Sequence, residues 1–549
     1  MLDTVNFLCK EKTIALCSKC FLSKFSIGLI LSTSLLSNSL AFAEKFTLST
    51  ATIEDINNAF DAGALNSETL VELYLARIAA YDNAGPALHS VITLNPEALK
   101  RAKELDLERQ KSGRRSPLHG IPIVLKDTFD AAGMPTTAGS YLLRKSFPPD
   151  DAFIVNKLRE AGAIILAKLN MSELYAGVER SSLGGYMHNP HNPARSAGVS
   201  STGTGIAMAA VYAAAGLGGD TGGSIRMPAS ANGIVGLKTT HGLLSRDGDV
   251  PLAPSLDVAG PMARNVYDVA AVLGVMTGVD SADPATQKSK GKFEKNYTRF
   301  LKPSALKGVR IGVARQFFGQ DQGVDWVSEA ALETMEDAGA TLVDISFPDW
   351  VINSSGSWFW TVRVSEFEEH LTQYLSTLKG DHPKTFDDLI EQSKTLMAPV
   401  NGESISNPDV WGKLKRYKNK GDITSYDYDI VRKQVLPMLG NLIEGILAEN
   451  NVDVIVYPTF PCPPRLIDAN PKLATGCKSP LLVANLTGFP ELVVPVGFSG
   501  LGMPVSLSLL GPAFSEPLLL GLGYSLEQQV KAYRLPVTTP SLAGEIIEY

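Results

Sequence analysis

The segment "GGDTGGSIRMPAS" (Gly218–Ser230) places four glycines in its first six residues, immediately before a serine and an arginine. Glycine allows backbone conformations that other residues avoid, and it leaves neighbouring N–H groups unshielded. Consecutive N–H groups that point into one concavity form an anion-binding nest. Beside a nucleophile, such a nest stabilises the oxyanion of a tetrahedral intermediate. The segment therefore predicts Ser224 as a nucleophile, although on its own it also fits an ordinary glycine-rich turn.

Two more segments favour the catalytic interpretation. "GVSSTGTG" (Gly198–Gly205) precedes the first segment and is again rich in serine and glycine. "GIPIVLKD" (Gly120–Asp127) is a short apolar run with β-branched residues, which predicts a buried strand that ends at Lys126. A lysine at the end of a strand usually reaches solvent, but here two serine-rich loops accompany it. The three segments together are two Gly/Ser-rich loops and a lysine at the end of a buried strand.

These segments resemble the amidase signature family, whose hallmark is a Ser-Ser-Lys triad. "DTGGSIRMPA" (Asp220–Ala229) matches the segment of its nucleophile, and "HGIPIVLKD" (His119–Asp127) matches the strand of its lysine. Residues 232–270 and 479–528 match two further regions, so the resemblance covers nearly the whole chain after residue 43. The N-terminal third is especially similar to bacterial peptide amidases. The resemblance implies an α/β fold with a single large domain, in which helices flank a mixed central sheet.

The resemblance also implies the roles of individual residues. Ser224 is the nucleophile, Ser200 the bridging serine and Lys126 the base. No metal or cofactor is implied. Four consecutive backbone N–H groups form the oxyanion hole, and two charged side chains brace the loop: Thr221, Gly222, Gly223 and Ser224 for the hole, and Asp220 and Arg226 for the brace.

A lysine acts as a base only in its neutral form, so its pKa must fall by about 3 units from the usual value of about 10.4. Burial without a carboxylate partner lowers the pKa of a lysine in this way. The proton of Ser224 would then pass through Ser200 to Lys126 and return to the leaving amine. We therefore expect a buried Lys126 with no carboxylate beside it.

The chain departs from the family pattern near the bridging serine. Val199 takes a position where glycine is usual, and its branched side chain restricts the backbone. Thr202 and Thr204 also differ from the usual loop, and Gly219 replaces a usual threonine. These departures leave open a catalytically impaired relative that only binds its ligand.

The expected activity is hydrolysis of a carboxamide, in a small molecule or a peptide, through an acyl-enzyme on Ser224. A second alternative is a protein like the A subunit of glutamyl-tRNA amidotransferase, from another branch of the family. The net charge of −7 and the absence of a basic stripe argue against a nucleic-acid partner. No serine lies in a G-x-S-x-G pattern, which argues against an α/β-hydrolase elbow. The sequence does not predict the acyl group or the oligomeric state.

Residues 1–43 differ from the rest of the chain. Four lysines precede an apolar run that ends in Ala41-Phe42-Ala43, a pattern typical of a cleaved secretory signal peptide. The alternative is an uncleaved membrane anchor. Cleavage would leave a 44–549 amidase domain, exported to the periplasm or secreted, without stable membrane insertion.

Cleavage would also remove three of the five cysteines and leave Cys462 and Cys477. An even pair in an exported protein predicts one disulfide, and two free buried thiols are the alternative.

Several elements follow from apolar periodicity. Residues 151–170 predict a helix followed by a buried strand, and residues 207–215 predict a helix of small side chains. Residues 452–458 and 491–498 predict two more buried strands. The aromatic and charged region near 350–430 predicts a helical insertion. Its run Trp358-Phe359-Trp360 fits either core packing or a wall of the substrate pocket.

Overall fold

An eleven-stranded mixed sheet organises residues 44–549, the part that the computed structural model describes, apart from residue 419 and residues 468–476. The predicted signal peptide lies outside the described residues. The strands are β1 (Lys45–Thr47), β2 (Val91–Leu94), β3 (Pro122–Lys126), β4 (Ile164–Leu169), β5 (Arg180–Ser181), β6 (Gly185–Tyr186), β7 (Ala215–Asp220), β8 (Val235–Lys238), β9 (Val258–Ala263), β10 (Arg310–Ala314), β11 (Thr341–Ile345), β12 (Val454–Pro458), β13 (Glu491–Phe498), β14 (Pro504–Leu510) and β15 (Ile546–Glu548).

The order across the large sheet is β11-β10-β12-β14-β13-β8-β9-β7-β3-β4-β2. The pairs β3–β4, β3–β7, β10–β11 and β10–β12 are parallel, and the other pairs are antiparallel. The central strands are buried along their whole length, as expected for a sheet that helices cover on both faces. This confirms the predicted mixed α/β fold with a single large domain.

Helices surround the sheet. They are α1 (Ile53–Asp61), α2 (Ser67–Tyr81), α3 (Ala98–Ser112), α4 (Phe153–Glu160), α5 (Thr202–Ala209), α6 (Arg226–Asn232), α7 (Val266–Met276), α8 (Gln322–Asp337), α9 (Asp349–Thr377), α10 (Phe386–Ser393), α11 (Pro408–Tyr417), α12 (Tyr426–Ile430), α13 (Leu436–Glu449), α14 (Leu481–Thr487) and α15 (Glu516–Val530). Among the described residues, no helix has the length and apolarity that a membrane span requires.

The helix predicted over residues 207–215 is partly wrong. Helix α5 ends at Ala209, Val211 has a φ of +61°, and β7 begins at Ala215. Gly218 and Gly219, which begin the glycine-rich segment, therefore lie in a buried strand. At Gly218 the packing is close, because a Cβ there would lie 2.7 Å from the Met262 sulfur on β9. Close packing between strands makes this segment a strand, and a local sequence pattern does not reveal such packing.

The region near 350–430 is helical, as the sequence predicts. It contains α9 to α12, and α9 alone spans 29 residues. Buried side chains of α9, among them Phe367 and Leu371, pack in an apolar cluster with residues of α10 and α11. That the region is an insertion stays a prediction.

Candidate active site

The parallel pair β3–β7 brings the lysine and the serine loop to one edge of the sheet. Leu125 of β3 pairs with Leu217 of β7, so the end of β3 lies two residues before the end of β7. Lys126 is the last residue of β3, and the loop with Ser224 follows the end of β7 directly. Binding sites in α/β proteins commonly lie beyond the carboxyl ends of parallel strands.

Lys126 is buried and contacts the first serine loop. Its Nζ donates to Ser200 Oγ at 2.8 Å and to the Gly219 carbonyl at 3.3 Å. The ring of Tyr175 lies on another side, with its centroid 5.3 Å from Nζ. Two of the three residues predicted as the triad are therefore in direct contact.

The charge of Lys126 is disfavoured by its surroundings. Burial lowers its pKa to about 8, against the opposing effects of Asp249, Asp220 and Asp257. No carboxylate forms an ion pair with Lys126 among the described residues, but Asp249 and Asp257, which lie between β8 and β9, act on its pKa from a greater distance. A lysine with a pKa near 8 is neutral in a substantial fraction of molecules at mildly alkaline pH.

The first serine loop has two residues in the left-handed region, on either side of Val199. Gly198 has a φ of +79° and Ser200 a φ of +77°, whereas the φ of Val199 is negative. A Cβ at Gly198 would lie 2.6 Å from the Pro228 nitrogen, so only glycine fits there. The φ of Val199 is thus in a range that any residue can adopt.

The two threonines in this loop are accommodated by hydrogen bonds. Thr202 donates its hydroxyl to the Gly198 carbonyl at 2.8 Å, and Thr204 donates to the Leu217 carbonyl at 3.1 Å. Ser201 donates to the Gly219 carbonyl at 3.0 Å and accepts from the Gly219 N–H. Thr202 therefore stabilises the loop itself, whereas Thr204 and Ser201 tie it to β7.

The loop of Ser224 wraps around the Asp220 carboxylate. Asp220 accepts hydrogen bonds from the N–H groups of Gly223 at 2.7 Å and Ile225 at 2.9 Å. The Gly223 N–H is therefore engaged, which corrects the expectation that it belongs to the oxyanion hole. The N–H groups of Thr221, Gly222 and Ser224 donate to no acceptor in the described part of the chain and stay available to a ligand.

Arg226 fixes the other side of Asp220. Its guanidinium contacts the Asp220 carboxylate at 3.1 Å and the Glu491 carboxylate at 2.5 Å, and it donates to Asn485 Oδ1 at 2.5 Å. All of these groups are buried. Burial alone would raise the pKa of Asp220, but the Arg226 charge holds that pKa far below its usual range. Asp220 and Arg226 thus form a buried ion pair within the loop.

Ser224 and Ser200 are neighbours in the fold but are not directly bonded through their side chains. The Ser201 N–H donates to the Ser224 carbonyl at 3.2 Å, which joins the two loops. Across residues 44–549 as described, no hydrogen bond joins the two hydroxyls. Ser224 is partly exposed and Ser200 is buried, so Ser224 lies on the solvent side of the lysine.

Helix α9 forms a wall beside the loop of Ser224. A Cβ at Gly222 would lie 2.8 Å from the ring of Phe359 and 3.2 Å from Leu482. The Arg363 guanidinium lies 5.7 Å from the centre of the Phe359 ring and donates to the Tyr175 carbonyl at 2.9 Å. Phe359 thus fits the pocket-wall interpretation of the aromatic run.

Sequence reasoning missed Tyr175, Asp249, Asp257 and Arg363. Asp257 accepts the Thr221 hydroxyl at 2.6 Å, and Tyr175 donates its hydroxyl to the Val250 carbonyl. The acidic letters in "SRDGDVPLAPSLD" (Ser245–Asp257) were the available signal for the two carboxylates. No local pattern marks Tyr175 or Arg363.

Metal binding has no support among the described side chains. No group of three or more His, Cys, Asp or Glu residues there is arranged to hold an ion. His119 and His241 contact backbone carbonyls, at 2.9 Å to Leu105 and 3.0 Å to Pro254. These contacts indicate a structural role for both histidines.

Cys462 and Cys477 are joined as a disulfide in the structure, with their Cα atoms 6.2 Å apart. That separation is usual for a disulfide. The pairing in the isolated protein stays a prediction, which a thiol count tests.

Fold and site together place a buried lysine beside two serine-containing loops at one edge of a mixed α/β sheet. The family model for amidases matches residues 69–520. The chain therefore belongs to the amidase family, as its resemblance to amidase signature enzymes implied, and it is a hydrolase of carbon–nitrogen bonds.

Individual relatives agree with this assignment. The peptide amidase of Stenotrophomonas maltophilia superposes with a TM-score of 0.83 and 36% identity, over 89% of this chain and 99% of that one. An amidase family protein from Bacillus anthracis superposes with a TM-score of 0.79 and 32% identity, over 89% and 92%. The A subunit of glutamyl-tRNA(Gln) amidotransferase from Caldanaerobacter subterraneus is 33% identical, over 90% of this chain and 99% of its own length.

Proposed function

We propose that this protein is an exported serine amidase that hydrolyses a carboxamide through an acyl-enzyme on Ser224. The observation that carries the proposal is the buried Lys126–Ser200 contact of 2.8 Å next to the loop of Ser224. A neutral lysine accepts a proton from Ser200, which accepts one from Ser224 once the two hydroxyls bond. The three open N–H groups then hold the oxyanion.

The reaction runs in two steps with balanced protons. Ser224 Oγ attacks the amide carbon, its proton moves through Ser200 to Lys126, and the same proton returns to the leaving nitrogen when the C–N bond breaks. Water then attacks the acyl ester by the same route and releases the carboxylic acid. Ser224 Oγ is free again at the end of the cycle.

A fluorophosphonate probe tests the nucleophile without knowledge of the substrate. We expect the probe to label one site in the wild-type protein, on the peptide that contains Ser224, and to leave Ser224→Ala unlabelled. Ser245→Ala, which changes a buried serine outside the site, serves as a matched control and should be labelled like the wild type. Absence of labelling in the wild type would favour the catalytically impaired alternative.

A panel of carboxamides then separates the amidase branches. C-terminal peptide amides, fatty amides and aryl amides are offered without tRNA, and ammonia release is measured. The similarity to the amidotransferase supports a second candidate, which requires charged tRNA for productive turnover. Ammonia release from a peptide amide alone would favour the proposed function, in line with the structural match to a peptide amidase.

Export is tested separately by N-terminal sequencing of protein from the periplasm or medium. We expect the mature chain to begin near Glu44. Protein with an intact Met1 in the soluble cytoplasmic fraction would contradict export.

A further inference from the structure

We propose that Asp249 is a positioning residue that faces Lys126 across the space left by Gly219 and sets the lower pH limit of the reaction. The inference rests on the proposed function, because it assigns an electrostatic role toward the same base.

Gly219 lies between the Lys126 ammonium group and the Asp249 carboxylate, and a side chain at this position would separate them. A Cβ built there would lie 3.5 Å from Lys126 Nζ and 3.8 Å from Asp249 Oδ2. The ammonium group and the carboxylate therefore border the same small space. No ion pair joins them among the described residues, since Lys126 Nζ donates to Ser200 and to the Gly219 carbonyl instead.

Asp249 differs from the other carboxylates that act on Lys126. Asp220 is neutralised by Arg226, and Asp257 accepts the Thr221 hydroxyl and the N–H groups of Leu252 and Ala253. Asp249 Oδ1 is buried and has no hydrogen-bond partner in the described part of the chain. A buried oxygen without a donor is costly for a carboxylate. Its charge is thus the least compensated of the three.

The pKa values of the two groups lie close together. Burial raises the pKa of Asp249 to about 7, against the effects of Thr128 and Lys126, while Asp257 and Asp130 add to the rise. Asp130 also accepts the Tyr374 hydroxyl at 2.7 Å. Burial lowers the pKa of Lys126 to about 8. The charge of Asp249 therefore changes over nearly the same pH range as that of Lys126, and the two titrations are linked.

A polar cavity connects Asp249 with other charged groups. It has a volume of about 170 Å³ and is bordered by Asp249, Asp257, Arg246 and Asp283. Such a volume holds several water molecules, which would exchange protons with the carboxyl group. The Asp249 carboxyl group can therefore exchange protons with solvent through this cavity, on a route that does not cross the substrate-binding side.

The sign of the effect follows from the charge. Ionised Asp249 stabilises the protonated form of Lys126, so that Lys126 becomes a base only at higher pH. Asp249→Asn removes that charge and keeps the shape of the side chain. The pH at which Ser224 becomes reactive should then move down by about one unit.

The experiment measures the rate of fluorophosphonate labelling of Ser224 from pH 5 to pH 10. We expect the midpoint of the rise to be lower in Asp249→Asn and in the second neutral variant, Asp249→Ala. Asp249→Glu should restore the wild-type midpoint. Glu336→Gln removes one charge from an exposed position on α8 and should leave the midpoint unchanged. Circular dichroism confirms that each variant is folded.

The outcomes separate the two proposals. A wild-type protein in which Ser224 is not labelled at any pH overturns the proposed function, and this inference with it. Labelling with an unchanged or raised midpoint in Asp249→Asn overturns the role of Asp249 alone. An equal shift in Glu336→Gln also overturns it, because the effect would then come from net charge.

Discussion

The loop of Ser224 and the pocket of Lys126 are both buried, yet their charges are arranged in opposite ways. In the loop, Asp220 receives two backbone N–H groups and the Arg226 guanidinium, which also binds Glu491. In the pocket, Lys126 has no ion pair among the described residues, and Asp249 keeps an unsatisfied oxygen. The first arrangement fixes positions, because both carboxylates there pair with the same buried guanidinium. The second leaves protonation adjustable, as a general base requires.

The largest effect is expected when one side chain is removed from each of the two regions. Ser224→Ala and Lys126→Ala should each lower kcat by about 10⁴-fold. The double variant should lose no more than the worse single variant, because the residues act in one relay. Initial rates of ammonia release measure all three. A double variant whose loss equals the product of the single losses would contradict the relay.

Arg226→Leu tests the compensated region by leaving Asp220 and Glu491 as buried charges without a partner. We expect a loss of about 3–5 kcal/mol in the free energy of unfolding. Urea denaturation at neutral pH measures this loss. Arg315→Leu removes a partly exposed arginine that pairs with Glu329, and it should cost less than about 1 kcal/mol. Equal midpoints for the two variants would mean that the buried network does not stabilise the loop.

The sequence predicts the compensated region better than the adjustable one. Asp220, Ser224 and Arg226 lie in one contiguous segment, so the motif contains both the nucleophile and its brace. The surroundings of Lys126 come from segments far apart in the chain, such as Tyr175 and Asp249. Contacts between distant segments have no local period or motif, and these were the residues that sequence reasoning missed.

The same limit applies to the fold. Strands β3, β12 and β13 follow from their apolar β-branched runs, and their bounds agree with the predictions within two residues. Strand β7 was missed because its composition is "AGLGGD", which has no strand-forming side chains. Two of its glycines pack closely against the neighbouring strands, because a Cβ at Gly216 would lie 3.1 Å from Val124 Cγ2 on β3 and a Cβ at Gly218 would lie 2.7 Å from the Met262 sulfur on β9. Only the assembled sheet shows this constraint.

The segment with Cys462 and Cys477 lies outside both regions, and it tests whether a covalent bond adds stability there. The bond would close a loop over a sequence separation of 15, which contributes about 3 kcal/mol in the chain-entropy model. The Cys462→Ser, Cys477→Ser double variant should lose up to that amount in urea denaturation. A thiol count on denatured, unreduced protein that begins at Glu44 should find zero free thiols. Two free thiols would refute the bond.

The smallest change in kcat is expected for a substitution of Val199. Because Val199 directly precedes Ser200, this substitution tests the loop of the bridging serine. The φ of Val199 is negative, and the strained positions are Gly198 and Ser200 on either side. Val199→Gly should therefore change kcat by less than about fivefold, an effect of added backbone freedom alone. Gly198→Ala is the matched control, because its Cβ would lie 2.6 Å from the Pro228 nitrogen and should displace the loop. It should lower kcat far more. A large gain in kcat from Val199→Gly would mean that the valine holds Ser200 away from its working position and that the loop is impaired.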